Sequence, residues 1–169
     1  MNKLGVKGKR VLKIFHLVFA IMWIGGVMAL VSLMLGMQPE SPEMMWMAAK
    51  SHLVVDEFFL IPGGIGIVVS AFAYGFFTEW GFFKHQWITV KWILTIALVL
   101  IGVFLMGRTI ESNMAYSDLI LREGADEKLW WANVHKVTVC GFIQIVGFAI
   151  VIILSVFKPG RPKKQIRIS

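Results

Sequence analysis

His16, His52, Asp56, Glu57, Lys91, Arg108 and His135 stand inside or at the ends of long apolar runs, and Gln144 adds a neutral polar group to the last run. An ionisable side chain in hydrocarbon is costly, so each is a functional-site candidate. Depth sorts them into two layers. His52 and His135 lie just inside one set of run ends, and their depths differ by only about 3 Å at about 1.5 Å rise per residue. His16 and Lys91 form a second pair just inside the opposite ends. Two imidazoles at one depth on diagonal helices are what a six-coordinate haem requires, with an Nε2 bound to iron from each side. No Cys-x-x-Cys-His run is present, so such a haem is non-covalent haem b.

The other polar groups fit around that expectation. Arg108 is at the right level to pair with a propionate of a haem held by His52 and His135. Asp56 follows His52 by four residues, on the same helix face one turn deeper, where it can orient an imidazole or relay protons. Lys91 suits a haem propionate or a substrate carboxylate; snorkelling to headgroups is its plain alternative. His16 shares a face with Ala20, Trp23 and Val27, beside Gly25-Gly26. The bland reading of His52 and His135 is a pair of interfacial histidines that meet water. His85, beside Lys84, reads as solvated. Met37, Met44, Met45 and Met47 offer soft thioethers to Cu(I), although ordinary apolar contact explains them equally.

The elements that must position these groups are four apolar runs, at about 11–35, 51–77, 87–106 and 131–157. Each reaches the roughly 20 residues that cross about 30 Å of hydrocarbon, and each must be a helix to satisfy its backbone there. Short connections make consecutive helices antiparallel neighbours. The expected fold is all-α, one domain over 1–169, an up-down-up-down four-helix membrane bundle. Pro62-Gly63-Gly64 interrupts the second helix, as a kink or a close packing contact. The 36–50 and 107–130 segments are expected as loops on one side, the second with an amphipathic turn or helix near Asn113–Arg122. Trp46, Trp80, Trp87, Trp130 and Trp131 read as interfacial belts.

Composition agrees. Of 169 residues, 57% are hydrophobic and 16% charged, against about 25% charged in a soluble domain, which argues against a soluble enzyme and a disordered chain. The net charge of +7 is segregated. Lys3, Lys7, Lys9, Arg10 and Lys13 precede or open the first run; Lys158, Arg161, Lys163, Lys164 and Arg167 follow the last. Both termini are therefore expected in the cytoplasm of a cell membrane of bacterial inner-membrane type, with lipid rather than nucleic acid as the partner of the charge. A single cysteine, Cys140, excludes an internal disulfide framework.

The stretch Lys13-Ile-Phe-His16-Leu-Val-Phe-Ala-Ile-Met-Trp23-Ile-Gly25-Gly26 resembles the opening helix of the copper-resistance-D-like and HemJ-like small membrane proteins. Trp87-Ile-Thr-Val-Lys91-Trp-Ile-Leu resembles their lysine-bearing third helix, and Asp56 through Pro62-Gly63 is similar to the second helix of uncharacterised members. The resemblance covers the transmembrane core. It implies that His16 and Lys91 are functional positions. In the HemJ-like branch the matching pair serves haem b binding and protoporphyrinogen oxidation. After Trp23 this chain departs from that branch, with Gly26-Val-Met-Ala-Leu in place of a Leu-Pro-Arg-Leu-Phe continuation. The leading expectation is a membrane b-type cytochrome with one or two haems, passing electrons to or from a quinone or similar partner. The alternatives are a protoporphyrinogen oxidase, a copper or small-solute transporter, and an accessory subunit without a cofactor. A homo-oligomer is compatible with each.

Overall fold

The computed structural model describes residues 3–79, 81–83 and 86–159. Trp80, Lys84, His85, Arg161, Lys163, Lys164 and Arg167 lie outside the described residues. Helix α1 runs Val6–Gly36, α2 Pro42–Val55, α3 Ile61–Phe77, α4 Gln86–Leu100, α5 Arg108–Glu123 and α6 Lys128–Phe157. A π turn, Asp56–Leu60, joins α2 to α3, and a second, Ile101–Gly107, joins α4 to α5. Among the described residues there are four spans and no strand: Val6–Gly36, Pro42–Phe77, Gln86–Glu123 and Lys128–Phe157. The side of the bundle that carries both termini is called the tail side below, and the opposite one the far side.

Two expected loops are largely helical. The second span begins at Pro42 because Ser41 caps it: the Ser41 Oγ accepts from the Met44 N–H at 3.3 Å, with Pro42 in the first turn and Glu43 beside the positive helix end. The third span does not stop near Met106. It passes through the π turn into α5 and ends where Gly124 takes the left-handed conformation, φ 68°. Helix α5 buries Thr109, Ile110, Asn113, Ser117 and Ile120, a stripe at three- and four-residue spacing, against α2 and α6. Trp46 Nε1 donates to Asp118 Oδ1 at 2.8 Å and Asn133 Nδ2 to Asn113 Oδ1 at 3.2 Å, which locks the far side. Trp46 is thus a link between helices. Trp130 is buried, edge-on to Trp131 at 4.9 Å, so it belongs to the core rather than to an interfacial belt.

Neighbouring spans pack as expected of an up-down bundle: α1 against α3 and α6, and α4 against α6. Gly63 permits a close backbone approach, since a Cβ there would lie 2.7 Å from the Trp23 backbone nitrogen. Pro62 falls in the first turn of α3, directly after the π turn, where the helix ladder is already irregular. The outside is apolar along its length, with Ile21, Ile65, Ile93 and Val146 exposed as a lipid-facing surface requires. The second and third spans meet through α2 and α5 on the far side. On the tail side the backbones of α3 and α4 scarcely approach each other.

Candidate functional site

That separation leaves a cavity of about 780 Å³ among the tail-side halves of all four spans. Volumes of about 300–1,000 Å³ are usual for sites that enclose small molecules. Its walls are mostly apolar, with Ile67, Ile88, Leu98 and Val151 among them. Trp23 and Phe148, edge-on at 4.9 Å, stand at its deep end. Lys9, Arg10, Lys13, Lys91 and Lys158 line it, and among the described residues no Asp or Glu does. Lys9 also pairs with the exposed Glu79 at 3.6 Å.

His16 projects from α1 into this space, one helical face shared with Ala20 and Trp23. Its Nδ1 lies 2.8 Å from the Ser70 Oγ of α3. Ser70 has one hydroxyl proton, and it is committed to the Gly66 carbonyl at 2.6 Å and the Ile67 carbonyl at 3.1 Å. With that proton on a backbone carbonyl, the Ser70 oxygen accepts from His16 Nδ1, and in that tautomer Nε2 is the nitrogen with the free lone pair. Tyr74 packs edge-on to the imidazole at 5.5 Å and further restricts the ring. Lys91, half-buried on α4, holds its ammonium 5.8 Å from the Trp87 ring centroid and within electrostatic reach of His16. Trp87 is buried here, which corrects its reading as a belt residue.

The structure therefore brings His16, Lys91 and Trp23 to one cavity. Sequence reasoning missed Ser70 and Tyr74. A serine one turn after Gly66 in an apolar helix carries no signal of its own, because its partner is on another span.

The expected His52–His135 pair is not assembled. His52 is buried, but His135 is exposed. The rotation of α6 is set by Trp130, Val134, Val137, Gly141, Gln144 and Phe148, which recur at three- and four-residue spacing and face the core. His135 follows Val134 by one residue, about 100° around the helix, and so turns outward. Matched depth did not supply matched direction. Arg108 is also exposed, with its guanidinium 5.6 Å from the Phe104 ring centroid, on the far side and not at the cavity. Asp56 is buried beside the second π turn, remote from the cavity lining. Of the loop methionines, Met44 and Met47 are exposed while Met45 is buried, so they do not converge. Among the described residues no group of three or more His, Cys, Asp and Glu side chains is placed to hold a metal ion.

The fit of haem to the cavity rests on the donor set. An imidazole on the wall could supply a nitrogen donor to haem iron, apolar walls suit a macrocycle, and a cationic rim suits its two carboxylates. No curated protein and no solved structure matches the chain. A protein-family match extends over residues 10–159, nearly the whole chain and all four spans: the chain belongs to the DUF2269 family of predicted integral membrane proteins.

Proposed function

We propose that the tail-side cavity binds haem b, and that the protein is a membrane-embedded b-type cytochrome exchanging electrons with a quinone-type partner dissolved in the bilayer. The observation that carries this reading is the His16 imidazole on the wall of a large, mostly apolar cavity, with its Nδ1 hydrogen-bonded to Ser70 Oγ at 2.8 Å. Bound haem supplies a one-electron carrier. The chain's own residues do the rest. His16 would hold the iron through an imidazole nitrogen, with its ring held by Ser70 and Tyr74, and the apolar walls would limit the access of water. Lys91, with Arg10 and Lys13 nearer the rim, offers charge-assisted hydrogen bonds to carboxylates. The excess of cations around the termini supports placing the tail side in the cytoplasm.

The same cavity suits an iron-free porphyrin, and the resemblance to HemJ-like proteins keeps protoporphyrinogen oxidation as the second reading. The two separate on one preparation. Protein purified from haem-replete cells should carry haem b by pyridine haemochrome assay at a fixed stoichiometry. A colourless preparation that takes up neither haem nor protoporphyrin would remove both readings. Oxidation of protoporphyrinogen by the purified protein would select the second.

A further inference from the structure

The far-side half holds a second polar layer that the cavity does not use. Asp56 is 4% exposed, His52 2% and Gln144 0%, all within hydrophobic spans. His52 Nε2 and Gln144 Oε1 are buried without a hydrogen-bond partner. Orphaned buried polar atoms are rare enough to demand a reason. The layer also coincides with both π turns, a rare conformation that is frequent at functional sites. Asp56 opens the first π turn, and its Oδ2 would lie 3.7 Å from a Cβ at Gly107, the last residue of the second. Gln144 Nε2 would lie 3.2 Å from a Cβ at Gly102 in the same turn. Two glycines thus let an acid and an amide close on one irregular segment from different spans.

The charged surroundings of Asp56 are few. Glu57 on its own turn and Glu111 on α5 are close enough to act on it, and both are exposed. Helix α1 has no ionisable residue between His16 and Gly36, and the second π turn has none. Arg108 is exposed over Phe104, and His135 and Lys136 on α6 are exposed. The buried His52, one turn away on α2, is the remaining titratable neighbour. Among the described residues Asp56 has no cationic partner within salt-bridge distance. A buried intramembrane carboxyl with an exposed acid beside it and an orphaned imidazole one turn away has the parts of a proton relay.

We propose that Asp56 is a proton-binding site served from the far face of the membrane and separate from the tail-side cavity. A proton that enters from the far face binds at Asp56 Oδ2 and leaves by the same route, with Glu111, within electrostatic reach of Asp56, as the exposed acid that feeds it. Only O–H bonds form and break, and no electrons move. His52 Nε2, one turn nearer the far face on the same span, is the neighbouring acceptor.

Infrared difference spectroscopy of the full chain in lipid nanodiscs, titrated with pH, tests this. The readout does not involve the cofactor, so its failure is distinct from failure of the haem reading. The wild type should show a pH-dependent C=O band of a protonated carboxyl that shifts in deuterated water. Asp56→Asn should lose the band, Asp56→Glu should retain it at a displaced frequency, and Glu111→Gln should slow its appearance after a pH jump. Retention of the carboxyl in Asp56→Glu keeps the test decisive if Asp56→Asn does not fold. A band unchanged in Asp56→Asn, no band in the wild type, or a band that answers to sodium or potassium at fixed pH would each overturn the proposal, the last in favour of a metal-cation site.

Discussion

His16 and Ser70, 54 residues apart in sequence, share a hydrogen bond of 2.8 Å that joins the first span to the second beside the cavity. This bond engages Nδ1 and orients the ring, which leaves Nε2 as the imidazole nitrogen without a protein partner on α3. Removing the group that orients a metal-binding histidine typically costs about 10–100-fold in affinity. Ser70→Ala should therefore weaken haem binding by about that factor, and Ser70→Thr should restore much of it. Spectrophotometric haem titration of the three proteins reads the effect. Equal affinities in all three would separate Ser70 from the site.

His135→Ala should be silent. Its side chain is exposed and turned away from the core, so haem content and spectrum should match the wild type. The same substitution at His16 should not be silent. Loss of haem in His135→Ala with retention in His16→Ala would reverse the assignment of the ligand and return it to the far-side layer.

Gly63 sets the spacing of the first two spans. A methyl group there would meet the Trp23 backbone nitrogen at 2.7 Å and its Cα at 2.9 Å, and backbone cannot swing aside as a flexible side chain can. Overpacking of this kind costs about 1–3 kcal/mol. Gly63→Ala should lower the thermal unfolding midpoint in detergent. Gly64→Ala should not, since its nearest neighbour stands 4.0 Å away. Equal midpoints for the two variants would contradict the packing described.

Asp126 lies between the third and fourth spans. Its Oδ1 accepts from the Lys128 backbone N–H at 3.0 Å, and that bond, with the Lys128 ammonium 3.2 Å from Oδ2, holds its carboxyl below the usual carboxylate range. A depressed folded-state value means that the cap is fully in place above the unfolded-state pKa and is lost as pH falls through the folded-state one. Hydrogen exchange at Leu129–Trp131 should therefore quicken, beyond its intrinsic pH dependence, as the medium is acidified through the carboxylate range. Asp126→Asn should show no such added step. An identical profile in both proteins would remove the capping role.

The spans were legible in the sequence because long apolar runs need no tertiary information. Their true lengths were not. Helix α5 is amphipathic and charged, so hydropathy ends the third span near Met106, although Gly124 marks the stop and Ser41-Pro42-Glu43 marks the start of α2. Neither π turn has a sequence signature. In the site, depth alone brought His16 and Lys91 to one level, and both line one cavity. Depth alone also paired His52 with His135, and failed, because rotation about α6 depends on the stripe running from Trp130 to Phe148. Ser70 was silent for a related reason: its role exists only where α1 crosses α3.

The central claim is that His16 ligates haem in the tail-side cavity, and haem titration of His16→Gly with and without added imidazole tests it most directly. The account predicts that His16→Gly loses the wild-type spectrum and that free imidazole, entering the space left by the side chain, restores it. A wild-type haem spectrum and stoichiometry in His16→Gly without imidazole would contradict it.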